Sequence, residues 1–402
     1  MTPTTTPLQA LPVDRAGPFD PSARFDELRE HSPISRLRFS DGHLGWLVTD
    51  HATARHVLAS PLFSSRAELR HAVIKRPVQE RFSTPQPGMF IAMDPPDHSQ
   101  YRRLLTGQFT VRRMKQLEPR IAQIVQDHLD AMLAAGPPAD LVRSFALPIP
   151  SLVICELLGV PYAERDRFQH DTAKMVSLNT PRQDAEAAAD SIQHFMEEMV
   201  ALKHREPDDA IISGLIATGE LTDTELTNIS MLLLVAGHET TANMLALGTF
   251  ALLSNPDQVA ALRAEPTLIP GAVEELLRYL TIIQFGLVRT ALTDVEVGGQ
   301  QIKAGESVCL FLPSVNRDPA AFGDTPDTLD VHRITNHHLA FGHGVHQCLG
   351  QQLARVEMRM GYAALLRGLP GLRLAVDPSQ VPMREDMSIY GVHELPITWD
   401  VD

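Results

Sequence analysis

The sequence predicts a mainly α fold with minor β. Apolar residues recur at a spacing near 3.6 through 115–135, 183–204, 223–254 and 267–280, as in helices that bury one face. Strict two-residue alternation is confined to patches near residues 37–48 and 295–312. No fixed-period repeat and no low-complexity linker interrupts the chain.

Taken in order, Leu37 and Phe39 alternate before Asp41-Gly42, and Leu44, Trp46 and Val48 after it, which reads as a hairpin. Pro95-Pro96 is a helix-start signal, and it places His98 and Arg102 four apart on one face. The four periodic helices follow, separated by polar or proline-containing breaks. Val295, Val297, a Gly298-Gly299 turn, Ile302 and the run Val308 to Leu312 form the second β patch. A loop over 314–347 leads to a last long helix, from about Leu349 to Arg367. Short apolar stretches at Ile389-Tyr390 and Leu395 to Trp399 close the chain.

With 402 residues, 44% hydrophobic and 21% charged, the chain has the composition of a globular protein. A formal charge of -14 excludes nucleic acid as a natural partner, since no basic excess exists to neutralise phosphates. Three cysteines, Cys155, Cys309 and Cys348, lie far apart without CxxC pairing, so a disulfide framework is not expected. The Thr- and Pro-rich N-terminus lacks a signal peptide's basic and apolar regions, and no stretch is long enough to span a bilayer. A cytoplasmic protein without a membrane partner is the expectation.

The strongest motif is Phe341-Gly342-His343-Gly344-Val345-His346-Gln347-Cys348-Leu349-Gly350. Its glycines permit a tight loop that a flat ligand could approach closely. Cys348 sits where the loop becomes a helix. There, unpaired N–H groups and the positive dipole end favour thiolate, a good ligand for haem iron. Two other readings stand beside this one. Cys348 could be a small buried hydrophobe, or part of a zinc site with His337, His338, His343 and His346, although no second cysteine lies near.

This loop resembles the haem-binding signature of the cytochrome P-450 superfamily, and three further segments agree with it. Ala236-Gly237-His238-Glu239-Thr240-Thr241, in the middle of helix 223–254, resembles the family's oxygen-activation motif. By that resemblance Thr240 would hydrogen-bond the oxygen under reduction and Glu239 would relay protons. Considered alone, Thr240 could bond back to its i−4 carbonyl while Glu239 reached solvent. Gly237 thins the helix and is expected to leave space beside it. Glu275-Leu276-Leu277-Arg278 looks like the family's ExxR helix, with Arg333 completing a structural triad. His98, Arg102, Arg289 and His346 match the family's contacts to the haem propionates, which need cationic or N–H partners when buried.

The resemblance implies a cytochrome P-450 fold with haem b buried between the long central helix and the cysteine-loop helix. Residues from 98 to 348 converge on one cofactor, so the chain is expected to form one domain, 1–402, acting as a monomer. The function implied is insertion of one oxygen atom from O2 into a lipophilic small molecule, such as a macrolide, another secondary metabolite or a steroid-like compound. Electrons would come from NAD(P)H through ferredoxin and ferredoxin reductase. The alternative class is a haem-binding or sensor protein that does not turn over. Expected substrate contacts are Phe90, Ile91, Leu232, Val235, Ala236, Ile283, Phe285 and Ile389, with Leu287 and Tyr390 beside them and Met175 and Leu178 above. Arg102, Arg103, Arg112, Arg113 and Arg355 would form a basic patch for an acidic electron carrier.

Overall fold

The computed structural model describes residues 7–78 and 80–401. The Thr-rich opening at residues 1–6 lies outside them.

Four of the helices fall where the apolar spacing places them: Val111–Ala135, Arg182–Arg205, Asp223–Leu253 and Ile269–Leu280. The first begins four residues earlier than periodicity indicates. Thr110 caps it by accepting the Arg113 N–H, and its opening residue Val111 is exposed, so that turn carries no apolar signal. The central helix Asp223–Leu253 opens with a capping box between Thr222 and Glu225. Glu225 also accepts the Tyr101 hydroxyl at 2.6 Å, which ties the helix Asp97–Thr106 to the central one.

The Asp41-Gly42 hairpin is present as Ile34–Arg38 and Leu44–Val48, paired antiparallel. It is the edge of a five-stranded sheet that continues with Ser307–Leu310, Leu287–Ala291 and Phe63–Ser64. Leu44–Val48 pairs parallel with Ser307–Leu310, and that strand pairs antiparallel with Leu287–Ala291, setting Arg289 opposite Val308. The short helix Leu312–Val315 leads into the loop 314–347, which holds Pro319–Phe322 and a 3-10 turn at Gly344–His346.

The main core gathers the helices around Asp223–Leu253, and smaller clusters pack against the sheet. The last long helix, Gln351–Gly368, crosses the central helix where Gly248 leaves room for Tyr362: a Cβ on Gly248 would stand 2.1 Å from the Tyr362 hydroxyl oxygen. That hydroxyl donates to the Met244 carbonyl, fixing the two helices to each other. Their junction sets the distance between the cysteine loop and residues 232–240.

Candidate active site

Between Met231 and Leu252 the central helix is buried at every position except Leu232, Val235, Ala236, Gly237 and Thr240. Four of these share the face predicted from their spacing. Gly237 does not open it. A Cβ there would meet Ile154 at 2.8 Å, so the missing side chain admits the helix Pro148–Leu158 rather than leaving space. A helix buried all round but for one patch lines an internal cleft with that patch.

Cys348 stands at the end of the glycine loop, with residue surface that remains accessible. Gly342 and Gly344 take positive φ of 67° and 74°. At Gly344 a Cβ would stand 2.5 Å from the Leu58 carbonyl oxygen, so the loop depends on glycine there. The Cys348 N–H closes the loop onto the Phe341 carbonyl at 2.9 Å. Helix Gln351–Gly368 starts two residues later than expected. Burial pushes the Cys348 thiol up, against the N–H groups of Gly350 and Gln351 and the charges of Arg102 and Arg355. The N–H groups at the helix start thus favour the thiolate, as expected from sequence, against the opposing effect of burial. A metal cation bound at the sulfur would favour the thiolate further.

His98, Arg102, Arg289 and His346 come together beside this loop. The rings of His98 and His346 stand 4.1 Å apart. Both His98 ring nitrogens and His346 Nε2 are buried without a hydrogen-bond partner. Burial, then the charges of Arg289, His98 and Arg102, drives His346 down to about 3. Burial, then Arg70, lowers Arg289 to about 10. Orphaned buried donors crowded by arginines form a site for an anion with several oxygens, and the two propionates of haem b fit it. Arg70 and Arg76, both pulled down by burial, extend the basic run. No periodicity marked them.

The acid and hydroxyl of the central helix divide between the two readings weighed from sequence. Thr240 Oγ1 does donate to the Ala236 carbonyl at 2.8 Å. Glu239, however, does not reach solvent. It is buried, with Oε2 accepting from Arg384 Nη2 and from Asn243 Nδ2, each at 3.1 Å. Sequence reasoning missed Arg384, 145 positions away, because nothing local marks it.

Glu275 and Arg278, both fully buried, pair through two bonds of 2.7 and 2.8 Å. Arg333 Nε reaches the same carboxylate at 3.2 Å, and its other nitrogens hold the carbonyls of Phe322 and Thr325 at 2.7 Å. Arg278 adds the carbonyls of Asn316, Pro326 and Thr328, so the triad grips the segment that leads to the cysteine loop.

Among the expected apolar contacts, Leu232, Val235 and Ala236 occupy the open helix face, and Ile283 bridges Ile389 beside it. Phe90 is buried near His98, Ile91 is 56% exposed, and Met175 is buried. Three placements differ from expectation, Leu178 among them, which packs on the separate core that holds Phe285. Phe285 packs with Phe25, Leu37 and Phe311 in a separate core. Tyr390 turns to the N-terminal segment, donating to the Pro18 carbonyl under Arg15.

The basic patch is thinner than its sequence suggests. Arg355 is committed to Glu274, and Arg103 pairs with Glu220. Among the described residues no three His, Cys, Asp or Glu side chains converge as metal ligands, so the zinc reading fails. His338 bonds Glu274, and His337 bonds the Ala321 carbonyl. No described helix is long and apolar enough to cross a membrane.

Comparison with known proteins agrees with this geometry. A family model described as Cytochrome P450 matches residues 177–399. Cytochrome P450 105C1 of a Streptomyces species is 47% identical over 97% of this chain and all of its own length. Vitamin D3 dihydroxylase of Streptomyces griseolus is 44% identical over 99% of this chain and 98% of its own. The crystal structure of CYP105P1 in complex with filipin I superposes with a TM-score of 0.92 at 43% identity, covering 98% of this chain and 99% of that one. Fold, cysteine loop and full-length kinship lead to one conclusion: this chain belongs to the cytochrome P450 family and is a monooxygenase that carries haem b.

Proposed function

We propose that the chain uses O2 to hydroxylate or epoxidise a lipophilic small molecule of the secondary-metabolite or steroid-like class, with Cys348 as its iron ligand. One observation carries this reading. The open patch of the central helix, Thr240 included, occurs in the same chain as a glycine-supported Cys348 loop and, beside that loop, a basic cluster whose buried histidine nitrogens find no partner in the protein.

His98, Arg102, Arg289 and His346 would hold the propionates of haem, whose iron supplies the redox centre for dioxygen reduction. The residues of the chain do the rest. Leu232, Val235, Ala236, Ile283 and Ile389 offer apolar surface that orients a lipophilic substrate by area burial and keeps water out. Thr240 donates to the Ala236 carbonyl, which leaves its oxygen lone pairs free to accept, and rotation about the Cβ–Oγ1 bond would turn its proton to a new partner. Glu239 is the nearest acid on the same helix, and each turnover draws two protons inward.

Streptomyces relatives bear names such as pentalenic acid synthase and vitamin D3 dihydroxylase, which support a substrate of the secondary-metabolite or steroid-like class. Acting in the cytoplasm as one domain and as a monomer, the chain would take electrons from a ferredoxin and its reductase. Exposed Arg112, with Arg102 and Arg113, is the basic surface for that carrier.

The test is the carbon monoxide difference spectrum of the reduced protein. The thiolate-ligated band is expected in the wild type and absent from C348S, with product formation lost alongside it. A C348S protein retaining both band and product would refute the reading.

A further inference from the structure

Residues 14–22, near the N-terminus, form a strap closed on itself. Arg15 bridges Pro21 in antiparallel fashion, the Ser22 hydroxyl donates to the Asp14 carboxylate at 2.8 Å, and the Asp20 N–H donates to the Gly17 carbonyl at 3.2 Å. Phe19 anchors the strap in the main core, its ring centre 4.8 Å from that of Phe250 on the central helix. Arg317, whose side chain is 3% exposed, holds it a second time. Its Nη2 donates to the Phe19 carbonyl at 2.7 Å and its Nη1 to the Asp20 carboxylate at 2.6 Å.

The fixed strap grips Tyr390, which is buried. The Tyr390 hydroxyl donates to the Pro18 carbonyl at 2.8 Å, and the Arg15 guanidinium lies 3.5 Å from the centre of its ring. The Tyr390 N–H donates to the Ile282 carbonyl at 2.9 Å, and the next pair, Ile283 and Ile389, forms an antiparallel bridge. Paired side chains share a face and successive ones point to opposite faces. Ile282 and Tyr390 are accordingly buried, while Ile283 and Ile389 remain partly open. Ser388 N–H to the Val176 carbonyl at 2.7 Å, and the Gln284 amide to the Met387 carbonyl, complete the backbone's ties. Hydrogen bonds of the pairing lie in its plane and fix register. Displacement normal to that plane is resisted by what packs behind, which is Tyr390 on the strap.

We propose that residues 14–22 determine specificity at a distance: acting through Tyr390, they set how far the Ile283–Ile389 pair stands towards the substrate. Tyr390 and Arg15 are then positioning residues that touch no substrate themselves. The inference rests on the reading of Ile283 and Ile389 as substrate surface. A ligand large enough to lie against that pair senses the strap, and one small enough to avoid it does not.

The experiment titrates holoenzyme of wild type, Y390F, R15A, I389A and Y390F/I389A with two ligands of haem iron, followed by their absorption difference spectra. Imidazole is the small probe, and 4-phenylimidazole is the larger, apolar one. I389A should weaken 4-phenylimidazole and leave imidazole as it is. Y390F and R15A should raise the Kd of 4-phenylimidazole about two- to fivefold, the scale of one hydrogen bond, again without changing imidazole. In Y390F/I389A the effect of Y390F should vanish, because the side chain it positions is gone.

A purely structural strap would lower the melting temperature or haem content, or weaken both ligands together, and any of these without the selective loss overturns the proposal. An undiminished effect of Y390F in the I389A background overturns it as well. R15A, which leaves Tyr390 in place, decides the question if Y390F does not retain haem. If I389A leaves 4-phenylimidazole binding unchanged, the reading of this pair as substrate surface fails. If I389A weakens it and neither Y390F nor R15A does, only the present inference fails.

Discussion

Arg333 and Glu275 stand 58 residues apart in the chain and meet at 3.2 Å, around a carboxylate that Arg278 already holds through two bonds. Glu275 also accepts the Asp330 N–H and the Thr335 hydroxyl, so one buried group organises the approach to the cysteine loop. Replacing Glu275 with alanine leaves the fully buried Arg278 without its counter-ion, and the expected loss is about 3–5 kcal/mol. R333A should lose less, about 1–3 kcal/mol, because Arg333 is partly exposed and most of its bonds go to carbonyls. Urea unfolding of the two variants checks the order. Equal losses would contradict the geometry.

The basic cluster makes a prediction with opposite signs in two states. Burial, then the charge of Arg70, disfavours the cationic form of Arg289 when no anion pairs with it. The apoprotein of R289A should therefore be no less stable than wild type. In the holoprotein the same change removes a charge-assisted bond, and haem transfer to an acceptor globin should accelerate about tenfold or more. An R289A variant that releases haem at the wild-type rate would remove Arg289 from the cluster.

Glu274 predicts how stability depends on acid. Burial would raise its carboxyl, but hydrogen bonds from His338 and Arg355 outweigh burial and hold it down to about 2, from an ordinary 4.5. The folded value lies below the unfolded one. Its stabilisation is thus present above about pH 4.5 and is lost as pH falls towards 2. Over that window E274Q should flatten the acid limb by about 3 kcal/mol at most. Stability curves between pH 6 and 3 measure it; parallel curves for the two proteins would contradict the assignment.

Glu357 should behave in the reverse sense. It is fully buried in the last long helix, and burial pushes its carboxyl up to about 8. Its folded value exceeds the unfolded one, so stability is greatest in acid and declines as pH rises towards 8. E357Q removes that decline and should be more stable than wild type at neutral pH. Thermal melts from pH 5 to 8 would show the curves diverging upwards, and a variant that melts lower throughout would refute the account.

Thr240 separates stability from chemistry. Its back-bond to Ala236 contributes little to the helix, so T240A should change stability by only about 0.5 kcal/mol. Product formed per NADPH should fall severalfold, with peroxide rising, and T240S should recover most of it. If T240A formed product as efficiently as wild type, the hydroxyl would have no role.

Much of this was legible residue by residue. Helix 183–204 appears as Arg182–Arg205, and 223–254 as Asp223–Leu253, because one-sided burial writes a 3.6 period into the chain. Pro148–Leu158 shows no such period: it is packed on several sides, from Ile149 through Leu158, so its sequence is apolar nearly throughout. Arg24–His31 and His51–Ala59 are too short to establish one.

What the residues determined unaided is local. The glycine-supported cysteine loop, the i, i+3 pairing of Glu275 with Arg278, and the shared face of Leu232, Val235, Ala236 and Thr240 follow from backbone geometry over a few positions. Only the tertiary structure decided which distant groups arrive beside them: Arg384 at Glu239, Ile154 at Gly237, Phe285 in another core, and Glu274 on Arg355. Helical periods and turns depend on near neighbours along the chain. Desolvation and ion pairing depend on whatever packs in from elsewhere, and no local pattern encodes that.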